Sequence, residues 1–297
     1  MPTLSVVVPA TDAPPTLAAC LAAIGTAADP PEQVVAVTDG GLPGDARNTG
    51  AAGATEDVIV FVDADVLPHR DAFTRIRAAF DADPELAALF GSYDDSPTEP
   101  DAVSGFRNLL HHHVHQASPG PATTFWSGLG AVRRDVFEAI GGFDPAQPRM
   151  EDVDLGMRIA AGGGTILLDP AIQGTHLKRW TLASMLRTDV LLRGGPWVEL
   201  MLRNRGSRGE RPLNLGRRHQ LSALASLVAA VSLVRGRPRT SLAALALLPV
   251  LNASFYALLL RRRGPVQASA GVVLHALHHL AGVASVPLGV VQHLRRR

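Results

Sequence analysis

The chain is short of several residue types, and each shortage narrows what the protein can be. Its 297 residues include one cysteine, Cys20, so a framework of disulfides within the chain is excluded. The first fifteen residues, MPTLSVVVPATDAPP, carry no basic residue and reach Pro9 early, which argues against a signal peptide. We therefore expect the N-terminal part of the chain to lie in a reducing compartment, the cytosol.

Acidic residues are missing from the C-terminal part of the chain. All 27 acids lie at or before Glu210, together with 16 of the 28 basic residues, so this part carries a formal charge of −11. From Arg211 onward there are 12 arginines and no acid, a charge of +12. These arginines stand in clumps between long apolar runs, which is more typical of a membrane segment than of a nucleic-acid-binding tail. The composition predicts an acidic soluble part, a membrane-associated tail and no nucleic-acid partner.

The first sixty residues alternate between strand and helix patterns. LSVVVPA (residues 4–10) is a short β-branched run closed by proline, as expected of a buried parallel strand. PTLAACLAAIGTA follows with apolar residues at helical spacing, and EQVVAVTDGG and DVIVFVDAD are two more strand patterns. This alternation predicts an α/β domain with a mostly parallel sheet flanked by helices.

Four acids follow these strand patterns directly: Asp12, Asp39, Asp63 and Asp65. In open α/β sheets, ligands bind beyond the carboxyl ends of the strands. The pair in VIVFVDAD can offer oxygen atoms to Mg²⁺ or Mn²⁺, which also take phosphate oxygens. The tripeptide alone is weak, because Asp81-Ala82-Asp83 repeats it at a predicted solvated helix end. A plain strand-end turn is the alternative interpretation.

The next part of the chain adds a second acidic motif. GLGAVRRDVFEAIGGFDP reads as a strand or loop leading into a short helix, and EDVDLGMRIAAGG as a helix that opens with acids. Acids near a helix N-terminus are stabilising by up to about 1 kcal/mol, so Glu151 and Asp152 alone are compatible with a simple helix start. TILLDPAIQGTHLKRW then predicts a last strand and a loop.

Beyond Trp180 the pattern changes to amphipathic and apolar runs. Residues 181–210 predict two short amphipathic helices, broken at Gly194-Gly195-Pro196 and lying on a membrane surface or packed on the soluble domain. Three apolar stretches follow, at residues 220–234, 241–260 and 266–291. The second is uncharged and long enough to cross a hydrocarbon layer of about 30 Å. The first would reach only about 22 Å as a helix, so we expect two or three hydrophobic helices.

Five motifs in order resemble the family 2 glycosyltransferases of the GT-A fold. They are SVVVPATD, VVAVTDGG, DARNTGAAGA, VIVFVDAD, and GLGAVRRDVFEAIGGFD followed by EDVDLGMRI. Two positions depart from the family pattern, since Thr11 replaces an aromatic residue and Thr38 replaces an acid. The resemblance covers residues 4–180 and implies a GT-A catalytic domain at 1–180. The amphipathic and apolar patterns add interfacial helices at 181–210 and an all-α membrane region at 211–297.

The resemblance also implies roles for individual residues. Asp39 would recognise the nucleotide base, with Asp12 as a weaker candidate, and Arg47 and Asn48 would brace the donor side of the pocket. The remaining assignments are Asp63 to the ribose or metal, Asp65 to a divalent metal, His176 to the same metal, Asp152 with Glu151 to the general base, and Arg179 and Trp180 to the pocket wall. For the last two, interfacial anchoring is the alternative.

The histidines outside these motifs suggest packing rather than metal binding. His111 and His115 are spaced four residues apart in LLHHHVHQ, but the run has no acid or cysteine. We interpret it as a packed polar helix face. The group formed by His275, His278 and His279 would face a lipid headgroup, the membrane interface or another helix.

Together these features predict a metal-dependent, inverting glycosyltransferase at the cytosolic face of the cell membrane. The donor would be a UDP- or GDP-sugar, and the acceptor a lipid or lipid-linked molecule, because an anchored domain acts near lipid. A short polysaccharide synthase is an alternative, although no membrane segment precedes the catalytic motifs. A catalytically inactive module that binds nucleotide-sugars is another.

Overall fold

Buried β-branched runs form interior strands of the sheet, as the sequence predicts. In β1 (Leu4–Pro9) the side chains of Val6, Val7 and Val8 are fully buried, and all five residues of β3 (Val58–Val62) are buried. The structure, a computed structural model, describes residues 1–39, 41–204 and 216–296. The boundary predicted at residue 210 therefore lies outside the described residues.

The chain divides into two units. Unit 1 contains Met1–Asp94 and Val114–Lys178, and unit 2 contains Asp95–His113 with the described parts of Arg179–Gly206 and Leu213–Arg297. The sequence placed residues 95–113 in the first domain, whereas in the structure they group with the C-terminal helices.

Unit 1 is built on an eight-stranded sheet. The other strands are β2 (Gln33–Val37), β4 (Val66–Pro68), β5 (Leu86–Tyr93), β6 (Gly120–Ala122), β7 (Leu129–Arg133) and β8 (Thr165–His176). Their order is β2-β1-β3-β7-β5-β8-β4, with β6 paired to β8. The helices are α1 (Leu17–Gly25), α2 (Pro43–Ala52), α3 (Ala72–Ala82), α5 (Arg134–Ala139) and α6 (Glu151–Ala161).

The sheet is mixed, where the alternation of strands and helices predicted a mostly parallel one. β1 is parallel to β2 and β3, and β5 is parallel to β8. β7 lies between β3 and β5 and runs antiparallel to both. The crossover rule fixes the direction of a strand only when a helix carries the chain back across the sheet, and β7 is entered from the short strand β6 instead. The α/β class itself is confirmed.

Helix α2 is the element that the sequence reading missed. Its sequence, PGDARNTGAA, contains two glycines and a proline, which lower helix propensity, although Pro43 stands in the first turn where proline is tolerated. Gly50 explains how the helix is held. A Cβ atom at this position would lie 2.3 Å from Cγ1 of Val7, so α2 packs directly on β1.

The described part of unit 2 contains helices and no strand. It contains the first part of α4 (Ala102–Gln116), α7 (Leu182–Arg187), a π-helical segment (Thr188–Gly194), α8 (Gly195–Arg203), α9 (Arg217–Val234), α10 (Pro238–Leu251) and α11 (Ala253–Arg295).

The break predicted at Gly194-Gly195-Pro196 is wrong. Gly194 (φ −63°, ψ −52°) and Gly195 (φ −58°, ψ −55°) are both helical, and the chain passes through them without a turn. The wider π-helical turn ends at Gly194, just before Pro196, whose missing N–H removes one helical hydrogen bond in any case. The two glycines provide close packing: a Cβ at Gly194 would lie 2.5 Å from Ser285 Oγ.

The span predicted over residues 241–260 is also wrong, because the helix ends inside it. α10 stops at Leu251 and Asn252 leaves the helical region with φ −124° and ψ 39°. The Asn252 amide donates to Ser222 Oγ at 3.0 Å and to the carbonyl of Leu248 at 3.0 Å. With 14 residues, α10 is about 21 Å long.

Among the described residues, α11 is the one helix long and apolar enough to cross a membrane. It has 43 residues but contains a non-helical glycine, Gly264, with φ 74° and ψ 175°. The arginines before this kink are bound within unit 2 itself. Arg262 Nε pairs with Asp95 at 2.7 Å, and Arg263 donates to the carbonyl of Pro97 at 2.9 Å. This arginine clump is therefore held by the segment that precedes α4.

The close approach of α2 to β1 gives a direct test of the fold. Gly50→Ala should destabilise the protein by about 1–3 kcal/mol, because the new methyl group meets the buried, β-branched Val7. The matched control is Gly53→Ala, where the nearest atom to an added Cβ is 3.5 Å away, and the change should stay within about 0.5 kcal/mol. Urea unfolding measures both; equal effects would contradict this packing.

Candidate active site

A buried arginine joins the two acidic motifs. Arg47 lies on α2 and is 5% exposed. Its Nη2 atom is 2.7 Å from Asp63 Oδ1, and its Nη1 atom is 2.8 Å from Glu151 Oε1. Residues far apart in the sequence thus meet at one guanidinium group. The acid at the end of β3 and the acid at the start of α6 lie in the same site.

The charge around Arg47 is negative on balance. Burial alone would lower the pKa of Arg47, but Asp63, Glu151 and Asp152 together raise it above the ordinary value. The single positive charge of Arg47 therefore faces three nearby carboxylates. This leaves negative charge at the site, the condition under which a cation or a proton is bound there.

The backbone fixes the positions of both acidic segments. The Asp63 amide donates to the carbonyl of Gly128 at 3.1 Å, so the end of β3 is tied to the segment that enters β7. Helix α6 follows Met150, which has a left-handed conformation with φ 58°. Such a conformation is uncommon for a residue other than glycine, and strained residues of this kind cluster at functional sites.

Asp65 faces a histidine rather than Arg47. Its Oδ2 atom is 3.6 Å from His176 Nε2, and its carbonyl accepts a hydrogen bond from the Leu177 amide at 2.8 Å. The His176 ring stacks on Tyr93 with centroids 4.0 Å apart and planes 8° apart. Burial would raise the pKa of Asp65, but His176 and Lys178 hold it below its ordinary value. The carboxylate is thus kept ionised.

The residues predicted as metal ligands meet in part. In the described part of the chain, no three His, Cys, Asp or Glu side chains are arranged to hold a metal ion. Asp65 and His176 approach each other, whereas Asp63 is engaged by Arg47. One carboxylate oxygen and one imidazole nitrogen are a partial donor set. They fit a divalent cation whose other ligands come from a substrate or water.

Asn48 and Arg158 hold the glycine turn that precedes α6. The Asn48 amide donates to the carbonyl of Phe143 at 2.7 Å and accepts from the Phe143 amide at 2.9 Å. Arg158 donates to the carbonyls of Ile140 and Gly142 at 2.9 and 2.7 Å, and pairs with buried Asp154 at 2.7 Å. Sequence reasoning missed Asp154 and Arg158 as supporting residues, although their spacing of four in a helix is a recognisable signal.

A second group of side chains escaped the sequence reading. Asp94, which follows β5, is 5% exposed and pairs with His69 Nε2 at 3.0 Å. The same carboxylate oxygen accepts the hydroxyl of Thr175. The hydrogen bond to Asp94 raises the pKa of His69 above its ordinary value. Asp94 links β5 to the chain beyond β4 and to β8, next to His176. Its place just after a strand was the available signal.

Asp12 and Asp39 lie at the predicted edge of the sheet. They follow β1 and β2, which are parallel neighbours, as Asp63 follows β3 on the other side of β1. Both side chains are exposed. Their role in nucleotide binding stays a prediction.

Arg179 and Trp180 belong to unit 2. Arg179 is exposed, and its Nε lies 3.9 Å from Glu99 Oε2. Trp180 is 7% exposed; its amide donates to Ser104 Oγ at 2.7 Å, and the Arg107 guanidinium lies 5.3 Å from the ring. The tryptophan is therefore a packed core residue of unit 2, and its role as a pocket wall stays a prediction.

His115 is packed, as predicted for the run of histidines. It is 6% exposed, and its Nδ1 atom lies 2.9 Å from the carbonyl of Gly91. The ring contacts Phe90 and Trp126 edge to face, with centroids 5.6 and 5.4 Å away.

Comparison with known proteins assigns the central part of the chain. Residues 41–141, which carry Arg47, Asp63 and Asp65, match the family model described as Glycosyl transferase family 2. The likeness is to this part of the chain. The match includes α2 and β3, so the buried arginine and the acid pair lie within the matched region.

Two kinds of relative extend the likeness beyond this domain. The pre-mycofactocin glycosyltransferase of Mycobacterium tuberculosis, from strains CDC 1551 / Oshkosh and ATCC 25618 / H37Rv, is 26% identical over 287 residues. The match covers 86% of this chain and 59% of the relative, so the chain spans about three fifths of that protein. A mannosyltransferase from Pyrobaculum calidifontis, solved with GDP-Man and Mn²⁺, is similar in fold with a TM-score of 0.53. It is 18% identical, and the match covers 100% of this chain and 88% of that one, which confirms the GT-A fold.

The double ion pair of Arg47 predicts a large effect on stability. Arg47→Met should cost about 3–5 kcal/mol, because it removes the buried guanidinium and leaves two half-buried carboxylates without their partner. The matched control is Arg75→Met, which removes an exposed pair with Asp71 and should cost about 0.3–0.5 kcal/mol. Unfolding in urea measures both. Adding Asp63→Asn and Glu151→Gln to Arg47→Met should restore part of the loss. If it restores none, the ion pairs do not explain the cost.

Proposed function

We propose that this chain is a metal-dependent, inverting glycosyltransferase that uses a nucleotide-sugar donor. One observation carries the proposal: Arg47, which lies in the region that resembles family 2, brings the acid at the end of β3 and the acid at the start of α6 into one site. A single displacement needs a group that stabilises the leaving diphosphate and a base that activates the acceptor. The two acidic segments are suited to these two tasks.

Asp152 is the residue we assign as general base. It is partly exposed in the first turn of α6, and its Oδ1 accepts the amide of Val153 at 2.8 Å. The neighbouring Glu151 is bound to Arg47 and is therefore less able to take a proton. The base would remove the proton of the acceptor hydroxyl as the oxygen attacks the sugar, which inverts the anomeric centre.

Asp65 and His176 are the residues we assign to a divalent metal. When bound, such an ion would neutralise the charge that develops on the leaving nucleoside diphosphate. Mg²⁺ prefers oxygen ligands, whereas this pair offers one nitrogen, so we propose Mn²⁺ as the better fit. The Pyrobaculum mannosyltransferase was solved with GDP-Man and Mn²⁺, and we extend the same classes of donor and metal to this chain, with a UDP- or a GDP-sugar as donor.

The helical unit supports a membrane location and a lipid or lipid-linked acceptor. Helices α9 and α10 expose many large apolar side chains, including Leu221, Leu224, Leu227, Val231, Leu242, Leu247 and Val250. Helix α11 is long enough to cross a bilayer. Apolar surface of this kind on several neighbouring helices is typical of contact with lipid. We place the family 2 domain at the cytosolic face of the membrane.

A module that binds nucleotide-sugars without transferring them is the second candidate. One observation favours it: Asp63 and Glu151 are both paired with Arg47, so fewer carboxylates are available for metal binding or proton transfer than the motifs suggest. Release of nucleoside diphosphate from a panel of nucleotide-sugars, with Mn²⁺ and membrane lipid, separates the two. We expect release with at least one donor.

The assignment of the base predicts a clean separation of binding and chemistry. Asp152→Asn should reduce transfer by at least about 100-fold, because general bases contribute roughly 10²–10⁴-fold. Donor affinity, measured by calorimetry, should stay nearly unchanged. Asp135→Asn is the matched control, since Asp135 is an exposed acid in the first turn of α5 and accepts the next amide at the same 2.8 Å. Full activity of the Asp152 variant would overturn the assignment.

The metal assignment predicts different outcomes at the two Asp-x-Asp sequences. Asp65→Asn should weaken Mn²⁺ binding in the presence of nucleoside diphosphate by at least about tenfold, the size expected for one charged ligand contact. Asp83→Asn, in the sequence Asp81-Ala82-Asp83 at the end of α3, should leave it unchanged. Electron paramagnetic resonance of free Mn²⁺ measures both. Equal effects at the two sites, or tighter binding of Mg²⁺ than of Mn²⁺, would contradict the assignment.

A further inference from the structure

Unit 2 contains a buried group of imidazole rings that the proposed chemistry does not use. His275 and His279 lie on α11 with ring centroids 4.6 Å apart, and His278 is 5.6 Å from His279. His219, in the first turns of α9, contributes a fourth ring 4.8 Å from His279. We call these four residues the histidine cluster.

A buried ion pair borders the histidine cluster. Arg107 Nη2 on α4 lies 2.7 Å from Asp189 Oδ1 in the π-helical segment, and both side chains are at most 10% exposed. Asp189 Oδ2 lies 2.8 Å from His278 Nδ1. The carboxylate is thus shared between the guanidinium and an imidazole, and Arg107 is balanced by a partner within the unit.

His279 is the member whose hydrogen bonds are not met. It is 2% exposed, and neither of its ring nitrogens has a hydrogen-bond partner among the residues that the structure describes. His275, by comparison, lies with its Nδ1 3.1 Å from the Tyr256 hydroxyl. A buried polar atom without a partner costs roughly 1–3 kcal/mol. An imidazole with two such atoms inside an apolar bundle therefore calls for a bound molecule.

The composition of the surroundings indicates the charge of that molecule. The charged and titratable groups that face the cluster are Arg107 and His113 of α4, Asp189 of the π-helical segment, Arg218 of α9 and Tyr256 of α11. Cationic and imidazole groups outnumber the one carboxylate among them. In the described part of the chain no three of these side chains are arranged to hold a metal ion.

Imidazoles suit an anion site that is sometimes empty. An unpaired buried arginine or lysine would carry its charge at a large cost when no anion is present. A histidine stays neutral in the empty site and takes up a proton when an anion arrives. The polar groups also lie among apolar side chains, including Phe106 and Phe255, whose rings are within 6 Å of His275. Such walls suit the first carbons of an alkyl chain.

We propose that the histidine cluster binds the phosphate group of an amphiphile with an alkyl tail, with His279 donating to a phosphate oxygen. As a binding site the proposal stands on unit 2 alone. As the place where an acceptor is held it rests on the proposed function, and it would make that acceptor a lipid phosphate.

The test measures binding of dodecyl phosphate to the full-length protein in a nonionic detergent, by calorimetry in two buffers of different ionisation enthalpy. We expect saturable binding with uptake of protons. Dodecanol and inorganic phosphate are the comparison ligands. Both should bind at least about tenfold more weakly, because each lacks one of the two recognised parts. Equal binding of inorganic phosphate would show a free anion site instead and would overturn the lipid assignment.

His279→Leu separates a ligand site from a structural residue. It should weaken dodecyl phosphate binding by about 10- to 100-fold, the effect of losing one hydrogen bond to a charged group. In the absence of ligand it should raise the melting temperature, since it removes two unpartnered buried atoms. His293→Leu, on the same helix but outside the cluster, is the matched control and should leave binding unchanged.

The outcomes are distinct from those of the transfer assay. Unchanged binding in His279→Leu, or no binding of dodecyl phosphate to the native protein, would overturn the site even if nucleotide release is found. Binding that is lost in His279→Leu would support the site even if no donor is turned over, and the proposed function alone would then fail.

Discussion

The guanidinium group of Arg47 is the constraint on which the candidate site depends. Repulsion would separate the carboxylates at the end of β3 and at the start of α6 if no cation stood between them. Arg47 is placed there by α2, which itself can sit close to β1 only because Gly50 has no side chain. The position of the acids thus depends on the charge of Arg47, and the position of Arg47 depends on the packing of α2 on β1. A buried arginine with two carboxylate partners is costly to break and specific in geometry.

Local patterns were enough to predict part of this arrangement. The strand before Asp63 and Asp65 and the acids that open α6 were recognisable, because burial of a strand and the preferences of a helix start are properties of short segments. The ion pairs of Arg47 were not, because they join residues 16 and 104 positions apart. The direction of β7 and the role of Asp94 also depend on neighbours in space. Helix α2 was hidden by glycines that serve packing rather than helix propensity.

In unit 2, too, the sequence shows the composition of the helices but not the contacts that their residues make. Its apolar helices and its excess of arginine are visible in the sequence. The hydrogen bond of Asn252 at the end of α10 to Ser222, and the close approach of Gly194 to Ser285, depend on neighbours in space. Arg262 and Arg263 resemble membrane flanks in the sequence, but they bind Asp95 and the carbonyl of Pro97. A buried polar group in this unit is informative because the free-energy cost of burying it must be offset by a hydrogen-bond partner.

The most direct measurement of the central claim is the distance between bound Mn²⁺ and the start of α6. Cys20 is fully buried, so a nitroxide label on Arg149→Cys, an exposed position two residues before Glu151, would be selective. With nucleoside diphosphate present, Mn²⁺ should strongly enhance the relaxation of this label and leave a label at exposed Asp81→Cys, in the second Asp-x-Asp sequence, much less affected. Equal enhancement at both positions, or none at Arg149→Cys, would mean that the two acidic segments do not share one metal-binding cleft.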